Sequence, residues 1–222
     1  MPASCPYFIA ITFAHVAAGL ASTAAGATLG PVLPATLGAT VLLTIALAAV
    51  LIGMQKIPPG LLKYAVALAW TFAFGLLLRR GTESAQAHGT LQLLLASVVG
   101  VTLAMTALGL YDRGGLLGFG PYLFAGLVGL FVARVGLLAA TFVLPATAEN
   151  VQSMTTTDMV LSGFGSALFA VFLAYDTSVL KHSAPRCGDR SWGGAPDYVS
   201  ESTNIFLNVV NLFSNMESVL DG

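Results

Sequence analysis

Charged side chains are scarce in this sequence, and their scarcity excludes most soluble folds. Asp, Glu, Lys and Arg together make up 9% of the 222 residues, against about 25% in a typical soluble domain. Hydrophobic residues make up 56%, and the mean hydropathy is +0.85. The formal net charge is -1, with no basic patch, so we expect no nucleic-acid partner. The composition predicts an integral membrane protein whose main partner is the lipid bilayer.

Cysteine is almost absent as well. Cys5 and Cys187 lie near opposite ends of the chain, so we expect no disulfide framework, and cysteine usage leaves the redox compartment open. The opening stretch MPASCPYF has neither a positively charged leader nor an Arg-rich transit pattern, and we expect the first apolar run to be retained as a span. Because no fixed-period repeat and no long linker is evident, we predict one transmembrane helical domain, residues 1–222.

Apolar runs dominate what is present. A helix needs about 20 such residues to cross the hydrocarbon core, and Gly- and Pro-rich or polar breaks divide the chain into about seven runs of that kind. The fold class is therefore all-α, with several spans. The predicted spans are residues 7–29, 37–54, 61–78, 91–110, 118–144, 160–180 and 199–220.

The distribution of Lys and Arg predicts the orientation, because cytoplasmic flanks carry an excess of these residues. Arg79 and Arg80 flank one side of the predicted bundle. The side shared with the N-terminus has more basic residues, namely Lys56, Lys63, Arg113, Lys181, Arg186 and Arg190. We therefore expect the N-terminus and the loop after the sixth span to be cytoplasmic.

One carboxylate interrupts the apolar sixth span, in the stretch LFAVFLAYDTSVLKHS. Asp176 lies four residues before Leu180, about 6 Å inside the cytoplasmic end of the helix. An ionisable group inside a membrane span is costly unless it faces an interior or a water-filled cavity. We predict that Asp176 is the main ion-interacting or gating group, with Lys181 and His182 as modulators. The alternative is that Asp176 caps its helix or pairs with Lys181.

Polar residues of the seventh span recur at alternating intervals of four and three, which places them on one face of a helix. This face is either a polar pathway or an amide ladder that holds helices together. We favour the pathway, with Asp197 as a modulator at its start. Its residues are Asp197, Glu201, Asn204, Asn208, Asn211, Asn215 and Ser218.

Two further ionisable residues lie within spans. We expect His15 to be a neutral, hydrogen-bonded packing residue, with a functional role as the alternative. Arg134 lies deep in the fifth span, roughly 20 Å from its cytoplasmic end. We expect its side chain to point toward the far side, to Glu149 or Asp158, and keep a gating role as the alternative.

The last two spans, GSALFAVFLAYDTSVLKHS and PDYVSESTNIFLNVVNLFSNM, resemble those of the transmembrane Bax inhibitor motif family. WTFAFGLLL in the third span and the seven-span layout are consistent with that resemblance. It implies six helices around a central C-terminal helix, a calcium leak into the cytosol, and cytoprotective or anti-apoptotic activity. It also implies two aspartates near the cytoplasmic mouth that share a proton and gate the path with pH.

The sequence departs from that family pattern at two positions. Asp176 matches the first aspartate, but Asn208 occupies the place of the second, and the second span has no carboxylate. An amide removes the repulsion between paired carboxylates and can donate a hydrogen bond to an ionised Asp176. We therefore hypothesise that Asp176 is ionised at neutral pH, and that pH-dependent switching is weak or shifted toward acid. Calcium prefers carboxylate and carbonyl oxygens, so both departures lower the expected conduction.

These observations lead us to expect a calcium leak channel or a regulator of calcium homeostasis, with calcium as the permeant ion and no cofactor or tightly bound metal. The alternative is a non-conducting protein that suppresses cell death by binding regulatory membrane proteins. An intramembrane aspartyl protease is the third reading, but the nearest second acid, Asp189, lacks the Gly-x-Gly-Asp setting, and we expect no enzyme activity. We expect the endoplasmic reticulum or Golgi membrane in a eukaryote, and the inner membrane in a bacterium.

Overall fold

The computed structural model describes residues 7–30, 37–145, 147–186 and 197–221. Within these ranges the chain is 91% helical and has no strand, which confirms the all-α, multi-span prediction. Cys5, Cys187 and Asp189 lie outside the described residues. The helices are α1 (Phe8–Leu29), α2 (Leu37–Met54), α3 (Leu61–Ala87), α4 (Leu91–Tyr111), α5 (Gly120–Val143), α6 (Ala148–Ser183) and α7 (Tyr198–Asp221), with short 3-10 turns at Gly115–Phe119 and Ala184–Arg186.

Five of these helices are long and apolar enough to cross a membrane, namely α1, α3, α4, α6 and the segment Gly115–Val143 that contains α5. A shorter apolar stretch, Gly38–Met54, lies in α2. Helix α7 is not among them, because acids and amides recur along its length. Its 24 residues correspond to about 36 Å, so its polarity and not its length sets it apart.

Helix α3 runs nine residues beyond the predicted end of the third span. The extra turns contain good helix formers and a surface ion pair, in which Arg79 Nε lies 2.7 Å from Glu83 Oε1. Gly89 ends the helix with a left-handed φ of 73°. The Thr90 N–H then donates to the Ala85 carbonyl at 2.8 Å, as in a Schellman C-cap.

Helix α6 begins twelve residues before the predicted start of the sixth span. Thr147 provides its N-cap, since its hydroxyl accepts a hydrogen bond from the Asn150 N–H at 3.3 Å. The Thr155, Thr156 and Thr157 hydroxyls bond to carbonyls one turn back within the helix. With 36 residues, α6 is about 54 Å long, more than the roughly 30 Å hydrocarbon core.

The described residues divide into two compact units, one from within Met1–Glu83 and Leu180–Phe206 and the other from within Ser84–Val179 and Leu207–Gly222. In the first unit, α1 and α3 meet at a pair of glycines. A Cβ on Gly26 would lie 2.0 Å from the Phe72 carbonyl oxygen, and one on Gly75 would lie 2.1 Å from the Thr23 carbonyl oxygen. Thr23 Oγ1 also donates to the Thr71 carbonyl at 2.9 Å. Gly26 and Gly75 therefore allow the two helix backbones to pack closely.

In the second unit, α4 and α6 approach closely at Gly109, where a Cβ would lie 2.4 Å from the Ala174 carbonyl oxygen. Gly120, the first residue of α5, leaves room for the hydroxyl of Tyr175 in α6, which a Cβ would meet at 2.7 Å. These contacts hold α4 and α5 against the half of α6 that carries Asp176.

Candidate functional site

Asp176 of α6 and Asn208 of α7 form a direct pair within the second unit. Asn208 Nδ2 donates a hydrogen bond to Asp176 Oδ2 at 2.7 Å. The asparagine is buried, with 6% of its surface exposed, whereas Asp176 is partly exposed. The amide therefore donates to the carboxylate as the hypothesis from the sequence requires, and the gating role of the pair stays a prediction.

The pair offers oxygen atoms to a hard cation. The Asp176 carboxylate and the Asn208 side-chain carbonyl are both ligand types that calcium prefers. In the part of the chain that the structure describes, no group of three or more His, Cys, Asp or Glu side chains could hold a metal ion. A cation at this pair would therefore meet one carboxylate, where two paired aspartates would provide two.

The polar face of α7 is enclosed to different degrees along its length. Asn208 and Asn215 are buried, Glu201 and Asn211 are partly buried, and Asn204 is exposed. Asn211 Nδ2 donates to the Leu207 carbonyl at 2.8 Å, and Asn215 Nδ2 donates to the Asn211 carbonyl at 2.7 Å. The amides at 211 and 215 thus each donate one hydrogen bond within α7, and the lining role predicted for this face stays a prediction.

Arg134 of α5 lies at the centre of a second polar cluster in the same unit. Its Nη1 donates to Asp158 Oδ1 at 2.6 Å, and its Nη2 donates to Ser162 Oγ at 2.8 Å and to Asn215 Oδ1 at 3.0 Å. The expected approach to Asp158 is confirmed, whereas Glu149 is exposed in the first turn of α6. The sequence analysis missed Ser162 and the link to Asn215.

Lys63 was used in the sequence analysis only as a marker of orientation. In the first unit its side chain is 1% exposed and forms an ion pair with Asp197. Its Nζ also donates to Ser200 Oγ at 2.8 Å. Asp197 precedes α7 and caps it, accepting a hydrogen bond from the Ser200 N–H at 3.2 Å. The Asp-x-x-Ser stretch at the start of α7 is a sequence pattern typical of a helix N-cap. No neighbouring residue in the sequence indicates that the partner of Asp197 is a lysine of α3.

Asp112 follows α4 and is a further polar residue that the sequence analysis left without a role. Its carboxylate accepts hydrogen bonds from the Ser178 hydroxyl at 2.6 Å and from the N–H groups of Gly114, Gly115 and Leu116. The Ser178 hydrogen bond, helped by the backbone donors and opposed by desolvation, holds the pKa of Asp112 below its usual value of 3.8. The Asp-x-Gly-Gly stretch is the local signal for this turn.

Three further ionisable residues that the sequence singles out lie at a helix end or in a packed position. Lys181 and His182 occupy the last turn of α6, where positive charge suits the carboxyl end of a helix. His15 Nδ1 lies 2.8 Å from the Ile11 carbonyl oxygen, and its ring centroid lies 5.1 Å from that of Tyr64. His15 is therefore a hydrogen-bonded packing residue, as expected.

Comparison with known families gives one clear result. A family model described as "Inhibitor of apoptosis-promoting Bax1" matches residues 6–222, which is nearly the whole chain. No curated protein matches the sequence at a significant level. The match covers all seven helices named above, including the stretches that contain Asp176, Asn208 and Arg134.

Proposed function

Because the chain belongs to the family of inhibitors of apoptosis-promoting Bax1, we propose that it provides a calcium leak path and thereby protects cells against death. Calcium is the permeant ion in this proposal, and neither a cofactor nor an enzyme activity is assigned. The protein is an integral multi-pass membrane protein. We propose the endoplasmic reticulum or Golgi membrane as its site in a eukaryotic cell and the inner membrane in a bacterium.

The observation that carries the proposal is the Asp176–Asn208 pair. A carboxylate within a membrane helix faces an interior or a water-filled cavity, because lipid exposure is costly. Here its partner is the buried amide of a second helix, which is itself too polar to count among the apolar spans. A polar contact between an apolar span and a helix as polar as α7, with oxygen ligands suited to calcium, supports an ion path at this place.

The same pair supports a weak response to pH. Two close carboxylates share a proton, because both cannot be ionised without repulsion. An amide at position 208 removes one of the two titrating groups and donates a hydrogen bond to the other. We therefore propose a path whose flux changes little with pH near neutrality.

The second candidate is a non-conducting protein that suppresses cell death by binding regulatory membrane proteins. The specific observation in its favour is that the Asn208 amide already occupies one Asp176 oxygen. An intramembrane aspartyl protease is a weaker candidate, because the second acid it would need, Asp189, lacks the Gly-x-Gly-Asp setting in the sequence.

Calcium efflux from vesicles that contain the purified protein separates these candidates. Efflux is measured from about pH 5 to about pH 8, a range in which a histidine or a shared carboxyl proton would titrate. A conducting protein releases calcium from the vesicles, whereas a partner-binding protein does not. Cytoprotection without efflux would favour the second candidate.

A further inference from the structure

Arg134 places a positive charge well inside the membrane-spanning part of the chain. It lies nine residues before Val143, the last residue of α5, and therefore about 14 Å inside that end of the helix. Its partner Asp158 lies ten residues after Ala148, the first residue of α6. A short connection joins α5 to α6, and Arg134 and Asp158 lie at nearly equal distances along their helices from it. The two side chains are therefore at about the same height along the paired helices.

Two helices bind the guanidinium group. Asp158 and the fully buried Ser162 bind it from α6, and the buried Asn215 binds it from α7. Gly165 makes room for this arrangement, since a Cβ at that position would lie 2.3 Å from Asn215 Oδ1. A side chain at Gly165 would therefore displace the amide that accepts from Arg134.

The cluster lies on the same face of α7 as the Asp176–Asn208 pair. Asn215 follows Asn208 by seven residues, which is two helical turns and about 10 Å. Asn211 lies between them on the same face and accepts a hydrogen bond from Asn215 through its backbone carbonyl. The row of amides in the second unit therefore leads from a carboxylate at one end to a guanidinium group at the other.

We propose that Arg134 is the charge barrier of the ion path, and that its binding to Asp158, Ser162 and Asn215 holds that barrier in place. This inference rests on the proposed calcium path. The side chains of Arg134 and Asp158 are 35% and 38% exposed, and a fixed positive charge repels a divalent cation that comes close to it. Asp158 neutralises the arginine in part, so the pair limits flux without excluding cations altogether.

A purely structural role makes a different prediction. In that case the Arg134–Asp158 pair only joins α5 to α6, and removal of either partner lowers stability by leaving the other charge unpaired in the membrane. Calcium flux per folded protein would then stay constant, and so would the preference for cations over anions. The two roles are therefore separated by ion flux and selectivity and not by stability.

The experiment compares vesicles that contain wild type, Arg134→Gln, Arg134→Lys or Asp158→Asn, with the amount of folded protein measured in each. Arg79→Gln is the matched control, because Arg79 also pairs with a carboxylate but does so within one helix. We expect Arg134→Gln to raise calcium efflux about tenfold and Arg134→Lys to leave it near the wild-type value. Asp158→Asn leaves the positive charge of Arg134 without its carboxylate partner. We expect this variant to lower calcium efflux and to raise chloride permeability.

Equal calcium efflux and selectivity in wild type and folded Arg134→Gln would overturn the inference while leaving the proposed path intact. If Arg134→Gln fails to fold, Asp158→Asn still decides, because a charge barrier predicts opposite effects on cations and anions and a structural role predicts none. Absence of calcium efflux from wild type and from every folded variant would instead refute the proposed function, and the inference with it.

Discussion

The residue at position 208 determines how its pair with Asp176 responds to pH. The buried amide donates to the carboxylate at 2.7 Å, so an acid at 208 would bring two carboxyl groups into direct contact. Such a pair would share a proton and titrate in two separated steps.

We predict that Asn208→Asp creates a pH-dependent step in calcium flux that wild type lacks. At low pH the shared proton keeps the two carboxyl groups together, and its loss as pH rises makes them repel each other. The double variant Asn208→Asp with Asp176→Asn should lose the step. The measurement is vesicle efflux as a function of pH. A steep step near neutral pH in wild type, unchanged by Asn208→Asp, would contradict the prediction and point to His182 or Glu201.

At the scale of the elements, buried polar contacts join helices that are far apart in sequence. Lys63 of α3 is 1% exposed and pairs with Asp197, whose side chain is 32% exposed and which also caps α7. The charge that remains after removal of one partner is therefore buried in one case and partly exposed in the other. A stranded ammonium group would be buried, whereas a stranded carboxylate would keep some contact with water.

We predict that Asp197→Asn destabilises the protein more than Lys63→Met does. Asparagine can still cap α7, so this variant removes the negative charge without removing the cap. It leaves the Lys63 ammonium group buried and unpaired, which costs about 3–5 kcal/mol of folding free energy. The double variant should recover part of that loss. Thermal unfolding in detergent measures all three variants. Equal losses from the two single variants would show that the buried ammonium is not the costly partner.

Helix packing gives a second prediction at this scale. A Cβ at position 75 would lie 2.1 Å from the Thr23 carbonyl oxygen, so Gly75→Ala must push α1 and α3 apart. We expect a loss of about 1–3 kcal/mol, the usual cost of overpacking. Gly100→Ala in α4 is the matched control, because no atom lies within 4 Å of its added Cβ. If thermal unfolding shows equal effects for both alanine variants, the close α1–α3 contact does not limit stability.

The helices could be predicted from the sequence, but two of their ends could not. Apolar runs define α1 and α2 almost to the residue, because these helices end where their apolar residues end. Helices α3 and α6 continue through polar residues, and an apolar run does not record that continuation. Their true ends are set by Gly89 and by the Thr147 cap.

The polar contacts were predictable only in part. The Asp176–Asn208 pair followed from the family resemblance, which places these two residues at the paired aspartates, and the approach of Arg134 to Asp158 followed from the depth of Arg134 in the fifth span. The partner of Lys63 could not be predicted, because it lies 134 positions away and its contact depends on the packing of α3 against the start of α7. The burial of Lys63 required an anionic partner but did not identify it.

At the scale of the whole molecule, the family match accounts for nearly the entire chain and confirms the resemblance first found in its last two spans. The two polar clusters of the second unit lie on one face of α7, with the carboxylate at one and the guanidinium group at the other. We propose that a calcium path along this face would depend on Asp176, which offers the carboxylate that calcium prefers, whereas Asn208 has only an amide to offer.

Calcium efflux from vesicles with wild type or Asp176→Asn tests that dependence most directly. Glu83→Gln serves as the matched control, because it removes a carboxylate that is exposed on α3 and paired with Arg79. We predict efflux from wild type and from Glu83→Gln, and a decrease of about tenfold in Asp176→Asn, since the path loses the ligand type that calcium prefers. Efflux that is unchanged in folded Asp176→Asn would contradict the assignment of Asp176 to the path.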